Sequence, residues 1–154
     1  MKQFLFTLFP VYLCFISCSS VKKANSSELL QGITGQVTML AGNQMPMKGA
    51  APAVPQGIKT TILVYQPTNI TQVTRIGMSA SYTAINTKLV ASVITDDAGA
   101  FNISLPAGRY SVFIGQGKQY YANLFDADNN ISLFTVETGK LTRINLSVNS
   151  SATY

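Results

Sequence analysis

Few side chains in this 154-residue chain could do chemistry. Histidine and tryptophan are absent, and Asp plus Glu number only six. Without His, neither a Ser-His-Asp nor a Cys-His arrangement exists, and the commonest zinc ligand is missing as well. The acids are Glu28, Asp96, Asp97, Asp126, Asp128 and Glu137. Paired carboxylates could act as acid and base, but Asp96 and Asp97 already have a turn to make. Ser-x-x-Lys spacing occurs at Ser19–Lys22 and Ser20–Lys23. It falls in a polar stretch where no pocket would desolvate the lysine. The chain is expected to be no enzyme and to need no cofactor.

Two constellations remain. Asp126, Asp128 and Asn130 have the 1, 3, 5 spacing of a calcium loop, with Glu137 at position 12. Position 6 is Ile131, where such a loop needs Gly for its sharp turn. The spacing is therefore read as a polar hairpin with no metal, leaving Asp126, Asp128 and Asn130 only as weak candidates for a looser oxygen-ligated site. Tyr120, Tyr121 and Phe125 lie beside Asn123 and Asp126. An aromatic next to an amide and a carboxylate can stack on a sugar ring and bond its hydroxyls. Tyr120, Tyr121, Asn123 and Asp126, with Asn43 and Gln44 from the long loop 42–57, form the candidate ligand site. The alternative has one tyrosine in the core and the other closing a sheet edge. The net charge of +5 is scattered singly, with no basic stripe interleaved with aromatics. Nucleic acid is not an expected partner.

The elements that position these residues begin with a leader. Lys2 precedes an apolar run, Phe4–Ile16, too short to span hydrocarbon as a helix and weakened further by Pro10. The run ends Phe15-Ile16-Ser17-Cys18, which resembles a bacterial lipobox, although Phe15 departs from the usual Leu. That resemblance implies cleavage before Cys18, a diacylglycerol on its sulfur and an acyl group on its amine. Together these give stable membrane anchoring. The only cysteines are Cys14 and Cys18, so no disulfide framework holds the rest. Residues 1–17 are read as the signal, 18–31 as lipidated Cys and tether, 32–149 as the domain, and 150–154 as a tail. The Lys22-Lys23 pair in place of an acidic run favours an outer-membrane lipoprotein facing the periplasm.

From Ile33 onward the apolar period is two. Ile33, Val37 and Met39 alternate with polar residues, as do Phe101, Ile103 and Leu105, and Ile144, Leu146 and Val148. Such alternation predicts half-buried antiparallel strands. Four more β-rich runs, at 60–65, 89–95, 109–114 and 131–136, bring the strands to seven, as a sandwich requires. Residues 40–58 and 66–88 read as long connections.

The stretch T-D-D-A-G-A-F-N-I-S-L-P-A-G-R-Y-S-V, at 95–112, resembles the signature of the carboxypeptidase-regulatory-like domain. Asp96, Gly99, Phe101, Leu105, Pro106, Gly108 and Tyr110 occupy the family's places. Gly35–Thr38 resembles its first strand and 136–146 its closing hairpin, so the likeness spans about 33–148. Three further stretches, 42–46, 82–90 and 120–126, are similar to a subgroup of small uncharacterised bacterial lipoproteins. The resemblance implies an all-β, seven-stranded antiparallel Greek-key sandwich of transthyretin type. It also implies an accessory, non-catalytic role, because the family's metal ligands belong to a separate peptidase domain. The expected function is an envelope binding module for a glycan or a protein partner. The alternative is a structural protein that assembles through sheet edges without a small ligand.

Overall fold

The computed structural model describes residues 31–43 and 54–153. The leader, Cys18, most of the tether and Gln44 lie outside the described residues. Among the described residues eleven strands form two sheets, β1 (Gly32–Asn43), β2 (Gln56–Gly57), β3 (Thr61–Tyr65), β4 (Val73–Arg75), β5 (Ser81–Ile85), β6 (Leu89–Ile94), β7 (Ala100–Ser104), β8 (Gly108–Gln116), β9 (Gln119–Tyr121), β10 (Leu133–Val136) and β11 (Leu141–Thr153). The architecture is nearly all β in two sheets, consistent with a sandwich.

The smaller sheet is built on β1. β11 pairs along one side of it. β7 and β2 share the other side, β7 against residues 32–36 and β2 against 38–39. The larger sheet runs β4-β5-β9-β8-β3-β6, and β10 also pairs with β8. Ser111 faces both Tyr65 and Leu133, so β10 follows β9 along one side of β8 while β3 holds the other.

Alternation sets the core. Ile33, Val37, Phe101, Ile103, Ile144, Leu146 and Val148 turn inward from the smaller sheet, and Ile62, Val64, Val112, Ile114, Tyr121 and Val136 meet them from the larger. Each such side chain contributes about 1.5–3 kcal/mol when fully buried. The opposite face of the larger sheet holds a second cluster of Tyr65, Tyr82, Phe113, Ala122 and Ile131, with Ile70 and Val73 packed against it. Here the chain between β3 and β6 and the chain between β9 and β10 are stitched together. Ile131 N–H donates to Thr68 C=O at 2.8 Å, and Ile70 N–H to Asn129 C=O at 3.0 Å. Thr68 is buried, and its N–H donates to Ser111 Oγ at 2.9 Å. Its hydroxyl donates to Gln66 C=O at 2.7 Å and lies 2.6 Å from the Thr87 hydroxyl.

Several expectations change. The count of seven strands becomes eleven among the described residues: β2, β4 and β9, of two or three residues each, are too short for readable alternation, and β5 falls within the stretch read as a connection. The 66–88 connection is a 3-10 turn at Ile70–Gln72 followed by the β4–β5 hairpin. The sandwich is not wholly antiparallel: β1 and β11 run parallel from Gly32–Leu141 to Asn43–Thr153. Period two fixes which side chains face inward, but it is blind to the direction of a neighbouring strand. The backbone of β11 continues through Thr153, so the expected tail at 150–153 is strand. The run predicted at 131–136 becomes strand only at Leu133, because Ser132 takes a positive φ of 41°. At the other end, Gln31 belongs to the domain and not to the tether. Its Nε2 donates to Leu105 C=O at 2.9 Å, and its Oε1 accepts from Gly139 N–H at 2.8 Å.

Candidate functional site

The two tyrosines predicted to share a site point to opposite faces of the larger sheet. Tyr121 pairs with Ile114 and joins the inner core, where it is only 2% exposed. Its hydroxyl donates to Asn149 Oδ1 and accepts from Asn149 N–H at 3.3 Å. It cannot stack on a ligand, and replacing it would test folding before binding. Tyr120 is half-buried on the outer face and meets Tyr65 edge-on at 6.4 Å. Burial, with Tyr120 alongside, pushes the Tyr65 phenol up to about 12. Asn123 donates to Ser147 C=O at 3.4 Å. Asn43 ends β1 opposite Thr153. The structure therefore does not gather Tyr120, Tyr121, Asn123 and Asp126 into one surface.

Asp126 has a local task. Its Oδ1 accepts from Asp128 N–H at 2.9 Å and Asn130 N–H at 2.8 Å, and its Oδ2 accepts from the Asn130 amide at 2.8 Å. Three donors fill the carboxylate, and Asn130 offers it nitrogen, whereas a cation site needs converging oxygens. Asn129 takes a positive φ of 61° within this turn, which Asn tolerates better than most residues. The D-x-D-x-N spacing is that of a self-capped turn. No group of three or more metal-ligating side chains occurs among the described residues.

These bonds, the Asn130 side chain first, hold the Asp126 carboxyl below its ordinary 3.8, with Arg109 adding a smaller pull. A lowered carboxyl pKa gives stability that is complete above the ordinary value and fades as pH falls through the folded one. The Asn130 amide shift, followed by NMR, is expected to titrate with a midpoint below 3.8. A midpoint at or above 3.8 would show that the turn does not favour the carboxylate.

A groove that the sequence did not announce lies at one end of the same outer face. It is an open depression of about 580 Å³ between the end of β3, the starts of β6 and β8, and the 3-10 turn. Gln66, Gln72, Thr87, Lys88, Arg109 and Tyr110 line it. Lys88 and Arg109 are exposed, and no acid lines the groove. The two ion pairs among the described residues, Lys59–Asp97 and Lys140–Glu137, lie elsewhere. Lys88 and Arg109 are 21 positions apart in sequence, so no motif could have joined them. Pairing β3 with both β6 and β8 does so.

The residues of the 95–112 signature serve the fold. Asp96 Oδ1 accepts from Ala100 N–H at 2.7 Å, and Tyr110 donates to Pro106 C=O at 3.1 Å. Phe101 and Leu105 are buried. No family model matches the chain, and no curated protein or solved structure matches it.

Proposed function

We propose that this chain is a non-catalytic envelope lipoprotein, anchored through Cys18, whose Greek-key sandwich is of carboxypeptidase-regulatory-like type and serves as an accessory binding module. Its ligand is an acidic glycan. The groove carries this reading: two cations stand at its lip, with two amides, a hydroxyl and a tyrosine around them. Guanidinium and ammonium groups pair with carboxylates by charge-assisted bonds, and the amides suit sugar hydroxyls. The signature residues and their turns support the family assignment.

Arrays of acidic and neutral polysaccharides, read at low salt, test the ligand. Acidic glycans are expected to bind, and Arg109→Ala to weaken them about tenfold or more, as loss of one charge-assisted bond implies. Binding confined to neutral glycans, or unaffected by Arg109→Ala, would refute the groove.

A second reading, assembly through a sheet edge, draws on a separate observation. β6 is an outermost strand of the larger sheet, and Leu89, Val90 and Ile94 are all exposed on it.

A further inference from the structure

The chain enters the domain at the same end as the groove. Gln31 Nε2 donates to Leu105 C=O at 2.9 Å, its Oε1 accepts from Gly139 N–H at 2.8 Å, and Gly32 N–H donates to Lys140 C=O at 3.2 Å. These bonds fix residue 31 beside the turn between β7 and β8. Gly108, Arg109 and Tyr110 leave that turn and line the groove. The stretch from Leu105 to Gly108 reaches at most roughly 11 Å. β8 then runs away from this end through nine residues, so Lys118 lies roughly 30 Å off. Gln31 is 13 positions beyond Cys18, and a chain of that length extends at most roughly 45 Å. An anchor at Cys18 keeps the groove close to the membrane when the domain sits with Gln31 downward. Turning Lys118 to the surface would use up most of that reach.

The lining suits a lipid headgroup better than a free chain of sugars. Neither Lys88 nor Arg109 has an ion-pair partner among the described residues, whereas Glu137 at the same end is already paired with Lys140. Asp126 feels Arg109 but forms no ion pair with it. Beside the cations, Leu89 and Val90 line the groove while still 45% and 40% exposed. Leu141, which opens β11 at this end, is 44% exposed. A soluble acidic polysaccharide covers such apolar side chains poorly. A membrane lipid brings the acyl boundary with its headgroup.

We propose that the acidic glycan of the groove is the headgroup of a glycolipid in the membrane that holds the Cys18 anchor. This rests on the groove and anchor readings above. An open depression with two cations binds a free glycan weakly. Anchoring beside the ligand makes capture intramolecular, at an effective concentration on the order of millimolar, so weak contacts suffice. Lys88 and Arg109 meet the headgroup's carboxylate or phosphate. The Gln66 and Gln72 amides meet its hydroxyls, and Leu89 and Val90 meet the apolar boundary beneath. Capture holds the domain with its Gln31 end against the surface.

The test uses the full chain with Cys14→Ser, recovered from membranes with its lipid. It is reconstituted into phosphatidylcholine vesicles that carry a headgroup-linked quencher. A fluorophore sits on Thr138→Cys at the Gln31 end or on Lys118→Cys at the opposite end. Adding a sialic-acid ganglioside is expected to deepen quenching severalfold at Thr138→Cys and not at Lys118→Cys. Arg109→Glu should remove the increase, as should high salt. An equal increase with phosphatidylglycerol, which has charge but no sugar ring, overturns the proposal. So does equal quenching at the two positions. A ganglioside without effect, while free polysialic acid still binds and Arg109→Glu weakens it, refutes lipid capture and leaves the groove reading standing. Loss of both kinds of binding fails the groove itself. Fatty-acid labelling unchanged in Cys18→Ala removes the anchor, and the proposal with it. Thr138 and Lys118 are exposed, so an unchanged thermal melt controls for folding.

Discussion

Gly99→Ala is expected to destabilise the domain by roughly 2–6 kcal/mol, the sum of left-handed strain and overpacking. Gly99 closes the turn between β6 and β7 with φ at +80°. A Cβ there would lie 2.1 Å from the Val37 carbonyl oxygen and 3.0 Å from Ile58 N. Both obstacles are main chain and cannot swing aside. Meanwhile Gly99 C=O accepts from Val37 N–H at 2.8 Å, so the turn cannot retreat without breaking its bond to β1. The corner it holds links the sheets: Thr95 Oγ1 donates to Ile58 C=O and accepts from Thr60 N–H, both at 2.8 Å. Against a total stability of about 5–15 kcal/mol, the loss is large. Urea unfolding checks it, with Gly117→Ala as the comparison. Gly117 also has positive φ, at 62°, but open space around it, so only about 1–2 kcal/mol is expected there. Equal losses at both sites would mean that contact with β1 contributes nothing.

Phe113→Ala is expected to cost about 3–5 kcal/mol, and to cost it unevenly. Phe113 is fully buried between Tyr65 and Tyr82, meeting them edge-on at 5.6 Å and 5.8 Å. It centres the outer cluster, on which the 66–88 segment and the β9–β10 connection rest, and it is absent from the inner one. Amide exchange should accelerate most across 66–88 and 122–132, while β1, β7 and β11 keep more of their protection. Uniform acceleration across both sheets would show that the two clusters unfold as one. The groove depends on this cluster indirectly, since Gln66, Gln72 and Thr87 come from the segment that Phe113 supports.

The fold was legible where one face of a strand is buried and the other is wet. Ile144, Leu146 and Val148 alternate with exposed Arg143, Asn145 and Ser147, and the period shows it directly. β4 and β5 escaped because β4 is only three residues long, and across the two strands only Val73, Tyr82 and Ile85 belong to the outer cluster. The Asp96–Gly99 turn was legible because a hairpin corner demands a residue with free φ. The candidate site was less so. Adjacent tyrosines in a strand must face opposite ways, and that parity alone is enough to separate Tyr120 from Tyr121. The Lys88–Arg109 groove had no such signal, since its residues meet only through a three-strand register.

The parallel pairing of β1 and β11 has a mechanical side. Residue 32 starts one strand, residue 153 ends the other, and the two therefore leave the ladder at opposite ends. Tension between those points would slide one strand lengthwise past its neighbour. The ladder's bonds would then share the load and fail together, where an antiparallel pair pulled from one end opens like a zipper, bond after bond. Twelve residues of β1 and thirteen of β11 form this joint. A domain tied down before residue 32 and tugged beyond residue 153 is thus gripped along its most resistant direction.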